Sequence, residues 1–279
     1  MPIPFPTDPK FFDGLVKYQS TVNLERWFCS KCGANICNYD RSDEEWEFCT
    51  GVIDTLGKLE SGKQCLDGKL NRAYVWAHDT LDGGGLSWLN EGKADGLEGR
   101  YWKGRDSEPV TDEMLSETEQ HGKKLRVSAR GELLKCQCHC GDVSFEISTP
   151  QDDGRYNASL CACTSCRKTS GFEITSWAHI PLGNWSVKTE DRHLSHYSSS
   201  DGRSRYFCKR CGTSVMFTID GIRTAAVATG ILDPTAGARA EAWLKWNPQR
   251  DSVGFLEDAI DQDFARRLAA GVQTKTMII

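Results

Sequence analysis

Cysteine placement constrains this chain more than any other feature of its sequence. Thirteen cysteines occur in 279 residues, and eight of them (136, 138, 140, 161, 163, 166, 208 and 211) fall in one stretch from Cys136 to Cys211. A small disulfide scaffold is far shorter and carries cysteine at roughly 8–10% or more. Clusters like these in a long chain of a reducing compartment mean metal or redox chemistry.

Phe207-Cys208-x-x-Cys211-Gly212 is a knuckle. Two thiolates three residues apart close on one ion, and the following glycine tolerates a left-handed turn. A structural zinc takes four ligands, so the knuckle needs a second pair. Cys138-His139-Cys140-Gly141 supplies one, with its two thiols on one face of an extended segment. The expected site is therefore Cys138, Cys140, Cys208 and Cys211 around one zinc; the competing reading is a pair of disulfides. His139, between the ligands, is expected to face the other way as an ordinary surface histidine. Cys136 extends the alternation and reads as a bystander, because the tetrahedral site is already full.

Cys161-Ala162-Cys163-Thr164-Ser165-Cys166 is the second constellation. Three thiolates can hold a zinc whose fourth position stays exchangeable, the form of a reactive site, or they can share a structural zinc with a ligand from elsewhere. Spacing leaves both open. Zinc on three thiolates carries a net negative charge and suits a soft ligand such as another thiolate. Arg167 and Lys168 follow at once and are candidates to offset that charge. Their alternative is a solvated basic pair. His179, His193 and His196 lie nearby in sequence, but a lone histidine among apolar residues is ordinarily structural.

The chain also repeats itself. Phe28-Cys29-x-x-Cys32-Gly33 matches Phe207-Cys208-x-x-Cys211-Gly212, and Thr50-Gly51-Val52-Ile53-Asp54 matches Thr229-Gly230-Ile231-Leu232-Asp233, both at an offset of 179 residues. A match that holds register across 28–54 and 207–233 reads as a duplication. The first copy lacks both upstream cysteine motifs, so it reads as an incomplete, non-catalytic lobe. Cys29 and Cys32 are candidates for a third metal site with Cys37, Cys49 and Cys65. The glycine-rich stretch His78 to Leu86 lacks the GK[ST] of a phosphate loop and reads as a turn.

Fold class reads as mainly β. Val143 to Ile147 alternates apolar and polar, and Ser214–Ile219 and Ala225–Thr229 also read as strands. The polar stretch from Glu91 to Arg130 is expected to end in a connection between an N-terminal lobe, 1–130, and a complete zinc domain, 131–279. Phe255, Leu256, Ala259, Ile260, Phe264 and Leu268 predict a terminal amphipathic helix packed on its own domain.

Three segments together carry a resemblance: Cys138-His139-Cys140-Gly141-Asp142-Val143-Ser144-Phe145, then Cys161-x-Cys163-x-x-Cys166-Arg167-Lys168-x-x-Gly171, then Phe207-Cys208-x-x-Cys211-Gly212-Thr213. In this order they resemble the glutathione-dependent formaldehyde-activating enzymes, also described as the centromere protein V type. The resemblance runs from Leu133 to roughly Asp233. It implies a zinc-bearing β-tent fold, a structural zinc on the four-cysteine set and a catalytic zinc on Cys161, Cys163 and Cys166. It also implies a carbon–sulfur lyase-type reaction on a thiol adduct such as that of glutathione.

Composition narrows the alternatives. With 34 Lys plus Arg against 39 Asp plus Glu, the net charge of −5 lacks the basic footprint of a nucleic-acid binder. No apolar run approaches the roughly 18 residues of a membrane span. The start has no basic segment followed by an apolar one, so a cytoplasmic location is expected, and the resemblance implies a small-molecule thiol partner. The competing functional readings are a non-catalytic zinc-binding interaction module, and a biosynthetic enzyme on the same scaffold with a larger substrate.

Overall fold

The structure, a computed structural model, describes residues 2–3, 8–54, 72–89, 98–128, 133–150, 154–186, 191–246 and 253–277. It is mainly β, as the alternating patterns predict. The N-terminal half builds strands β1 (Pro2–Ile3), β2 (Leu15–Gln19), β3 (Leu24–Cys29), β4 (Asn35–Asp40) and β5 (Glu45–Phe48), which pair in the order β1-β5-β4-β3-β2. A parallel pair, β6 (Arg72–Tyr74) with β7 (Glu98–Arg100), comes next.

The C-terminal half opens with a hairpin, β8 (Leu133–Gln137) and β9 (Ser144–Ser148). Strand β10 (Tyr156–Cys161) leads into a short helix at Thr164–Ser170, and β11 (Thr175–Pro181) returns beside β10. Strands β12 (Leu194–Ser200), β13 (Arg203–Cys208), β14 (Ser214–Ile219) and β15 (Thr224–Ala228) form a meander, followed by β16 (Leu244–Trp246) and β17 (Val253–Gly254). The large sheet runs β12-β13-β14-β15-β11-β10-β16, with β17 parallel to the end of β10. One of its faces is the main core, where Ala158, Leu160, Ala178, Ile180, Met216 and Val227 are buried with Cys136 and Ile147 of the hairpin. The other face carries the cysteine loop described below.

The two meanders correspond at the offset seen in the sequence. Strands β3 and β13, and β4 and β14, begin and end 179 residues apart. The same irregularity falls between Trp27 and Phe28 and between Tyr206 and Phe207. The halves also touch reciprocally at their knuckles. A Cβ placed on Gly33 would lie 2.4 Å from the Phe207 ring, and one on Gly212 would lie 2.4 Å from the Phe28 ring. Like surfaces meeting in this way form an isologous contact.

Three expectations are corrected. The second half of the polar stretch, for which only a connection was expected, is helix α1 (Asp112–Ser128). Thr111 Oγ1 accepts from Met114 N at its start, acidic Asp112 and Glu113 fill its first turn, and Leu115 is buried. We label the short helix Thr164–Ser170 α2, and the terminal helix α3 spans Gln262–Met277. Phe255 to Ile260 therefore lie outside α3, because Asp261 Oδ1 accepts from Phe264 N and fixes the helix start there.

The glycine-rich stretch is the third correction: it is a strut between the halves. Asp82 is buried there, with Oδ1 accepting from Gly84 N at 2.9 Å and Oδ2 from Arg239 N at 2.7 Å. Gly271 of α3 runs so close to the Trp88 carbonyl that a Cβ would sit 1.5 Å from it. The terminal helix is thus anchored on the N-terminal half as well as its own. No helix among the described residues is long and apolar enough to cross a membrane.

Candidate metal centres

The four-cysteine set assembles from two tight turns. At Cys138–Gly141 the Gly141 N–H donates to Cys138 O, and at Cys208–Gly212 the Gly212 N–H donates to Cys208 O. Gly141 and Gly212 take φ of +82° and +71°, where a side chain would be strained. The first pair does not sit on a strand as its alternation suggested. β8 ends at Gln137, and the turn brings Cys138 Sγ to 3.5 Å from Cys140 Sγ, far closer than alternate strand residues allow.

Cys140 Sγ is 3.6 Å from Cys208 Sγ, and all four sulfurs lie within 4.8 Å of one another. A tetrahedral zinc with bonds of 2.3 Å needs sulfurs about 3.8 Å apart, so the donor set fits. Hydrogen bonds from Cys138 and Cys208 hold Cys211 well below the ordinary thiol range, which is the ionised form that a cation needs. Cys136 stays out of the group, and burial pushes its thiol up to about 12. His139 is exposed, as expected of a surface histidine, and its Nδ1 is 2.8 Å from Tyr18 Oη of the N-terminal half.

The three-cysteine set forms where β10 meets α2. Cys161 is the last residue of β10, paired with Thr175 of β11 and Gly254 of β17. Cys163 caps α2, its Sγ accepting from Cys166 N at 3.3 Å. Cys166 is in the first turn of α2 and is buried against Trp177 and Ala226. The three sulfurs lie within 4.8 Å of one another. Hydrogen bonds from Cys161 and Cys163, with Arg205 adding to them, hold Cys166 down at about 2, while Cys161 is pushed up by the same bonds.

The two basic residues after the loop do not face it. Arg167 is buried and donates to the carbonyls of Gly51 and Ile53 at 2.8 and 2.9 Å, and Lys168 pairs with Asp54. Both are drawn to the N-terminal half, whose carbonyls and carboxylate are the acceptors in reach. The cation beside the sulfurs is Arg205 of β13, with Nη2 3.0 Å from Ser165 Oγ and 3.5 Å from Cys166 Sγ. It lies 39 residues from Cys166, so local spacing gave no sign of it. The sequence match at the 179-residue offset did hold one: Arg26 stands at the corresponding position.

Cys29 and Cys32 form a second knuckle, with Gly33 N donating to Cys29 O as in its counterpart. Among the described residues no third ligand joins them. Cys37 is fully buried and Cys49 half-buried, and burial pushes their thiols up to about 12 and about 11. Cys65 lies outside the described residues.

Comparison with known proteins finds similarity over the C-terminal half. Residues 133–246 match the family model of the glutathione-dependent formaldehyde-activating enzyme. The matched segment holds all seven cysteines of the two centres. A Halomonas elongata protein whose name carries the same words is 32% identical over 88 residues, covering 30% of this chain and 54% of that one. The chain thus spans about half the length of that relative. A crystal structure of a Rhodobacter sphaeroides protein is 25% identical, with 36% of this chain and 87% of that chain covered and a TM-score of 0.30.

Proposed function

We propose that this chain is a carbon–sulfur lyase-type enzyme that joins a thiol such as glutathione to formaldehyde, or releases formaldehyde from the adduct, at the Cys161/Cys163/Cys166 loop. The observation that carries the reading is the difference between the two centres: one offers four sulfurs and the other three, inside a segment that matches the formaldehyde-activating family. Zinc held by the three would supply an open position and a preference for soft sulfur donors. Zinc held by Cys138, Cys140, Cys208 and Cys211 would have no open position and would tie the hairpin to the meander.

The residues around the loop suit a thiolate. Arg205 places a fixed positive charge beside it and stacks on Phe217, 5.2 Å from the ring centre. Trp177 packs edge-on against Phe217 at 5.1 Å and keeps water from the buried side of Cys166. In the synthetic direction the thiolate attacks the carbonyl carbon, a C–S bond forms, and the oxygen takes a proton. We further propose that 28–54 and 207–233 are copies of one ancestral unit, that 1–130 and 131–279 are its incomplete and complete versions, and that the first copy supports the second without chemistry of its own.

The test compares the as-purified chain with Cys163→Ser. Formaldehyde and glutathione approach their adduct equilibrium in water unaided, and exchange NMR measures the rate. The wild-type chain should accelerate it, while Cys163→Ser should hold one equivalent of metal less and give the uncatalysed rate. A fully metal-loaded wild type that accelerates neither glutathione nor other simple thiols would overturn the reading.

A further inference from the structure

The sheet face that carries the three-cysteine loop holds a second chemical pair. Paired residues on antiparallel strands point to the same face, and so do residues two apart on one strand. Cys161 pairs with Thr175 and Ser159 with Trp177, so Cys161, Ser159, Thr175, Trp177 and His179 share that face. Ser159 Oγ lies 2.8 Å from His179 Nε2, and both residues are half-buried. The side chains between this pair and the loop are held in place: Thr175 Oγ1 donates to Cys161 O, and Trp177 Nε1 donates to Thr175 Oγ1.

The geometry points to Ser159 and His179 as the proton-transfer pair for the thiol-adduct reaction at the cysteine loop. This inference rests on the functional reading above and extends it to the group that handles the proton. A hydroxymethyl thiol with its sulfur at the loop directs its hydroxyl along β10 toward Ser159, one strand repeat of about 7 Å from Cys161. In the breakdown direction Ser159 Oγ takes the hydroxyl proton of the adduct as its own proton passes to His179 Nε2. The carbon–oxygen double bond forms, the C–S bond breaks, and its electron pair leaves on sulfur as the thiolate. The products are formaldehyde, thiolate and imidazolium, so atoms and charge balance. In synthesis the same steps run backward.

Burial lowers the His179 pKa below its ordinary value, which keeps the ring neutral and able to accept a proton. The residues facing it are Ser159 and Asn157 on β10, Ala226 on β15, and Trp177 and Pro181 on its own strand. None of these titrates. The charged groups on the same face of these strands are Lys245 on β16, beyond β10, and Arg205 and Arg203 on β13, beyond β15 and β14.

The experiment uses the full-length, metal-loaded chain and measures kcat and KM for adduct breakdown across pH 4.5 to 8. Wild-type kcat should fall on the acid side as His179 becomes protonated. His179→Gln and Ser159→Ala should each lower kcat by about 10²–10⁴-fold with KM and metal content unchanged, and His179→Gln should lose the acid limb. Ser159→Ala removes a single oxygen and keeps the test open if His179→Gln does not fold. A second readout needs no turnover: the His179 ring resonance should shift when glutathione is added to wild type and stay still in Cys163→Ser. If Cys163→Ser is inactive while both relay variants keep wild-type kcat and the acid limb, the proton-transfer role falls and the functional reading stands. If wild type is inactive and the His179 resonance ignores glutathione, both fall.

Discussion

Gly33→Ala tests the reciprocal contact between the two halves. Gly33 has φ of +75°, so any side chain there carries the left-handed penalty of about 1–2 kcal/mol. The added Cβ also lands 2.4 Å from Phe207 Cγ and 2.7 Å from Phe207 Cβ. Phe207 is buried and its ring cannot swing away, so overpacking adds about 2 kcal/mol. Gly14 is the control in the same lobe, with φ of +79° and nothing within 4 Å of the Cβ that alanine would add. Gly14→Ala should show the backbone penalty alone. At about 2–4 °C per kcal/mol, Gly33→Ala should melt about 4–8 °C below Gly14→Ala in differential scanning calorimetry of metal-loaded protein. Combining Gly33→Ala with Phe207→Leu should recover about 1 kcal/mol in a double-mutant cycle, because the smaller side chain gives the methyl room. Equal melting of the two alanine variants, or no coupling to Phe207, would refute the contact.

Cys208→Ser should give aggregated or unfolded protein, whereas Cys163→Ser should stay folded by circular dichroism, because the first site joins segments distant in sequence and the second closes on itself. Arg72 sits between Glu173 and Asp261 at 2.7 and 2.9 Å with side-chain exposures of 13%, 12% and 7%. Arg72→Met should cost about 3–5 kcal/mol in urea unfolding, and Glu173→Gln in the same chain should restore part of it. The hydrogen bond from Arg41 holds Glu25 below the ordinary carboxylate value despite its burial. Its contribution is therefore present above about pH 4.3 and lost as pH falls through the lowered value, so a plot of melting temperature against pH should lose part of its acid slope in Glu25→Gln.

The two cysteine clusters were legible because cysteine loops are local: Cys138, Cys140, Cys161, Cys163 and Cys166 are grouped by spacing, and only the Cys208/Cys211 pair had to be joined to them across the chain. Strand β9 was legible because one face is buried and the other wet, and β14 and β15 because they are short runs with consecutive buried residues. Helix α1 was not, since its sequence is polar almost throughout and its hold on the structure comes from Leu115 and a distant pair, Glu119 with Lys275. The start of α3 was misjudged because Phe255 and Leu256 mimic helical spacing, while the cap at Asp261 and its tie to Arg72 are set by residues far apart. The directions of Arg167 and Arg205 depend on which acceptors the fold brings near each guanidinium. Adjacency in sequence pointed to Arg167, whereas the fold sets the Arg205 guanidinium beside the sulfurs.

The knuckle contact also sets a clock on synthesis. Phe28 is covered by Gly212, which is made 184 positions later in the chain. At the 5–20 residues per second of translation, that interval is roughly 10–40 s. Throughout it the first knuckle exists without the surface that covers it, with Phe28 and the edge of its sheet open to any other chain nearby. Helix α3, which closes over Trp88, arrives later still. The same ring that is among the best-buried groups of the finished protein is therefore among the longest-exposed groups of the nascent one, and a ribosome-stalled chain ending before residue 207 should present it to chaperones.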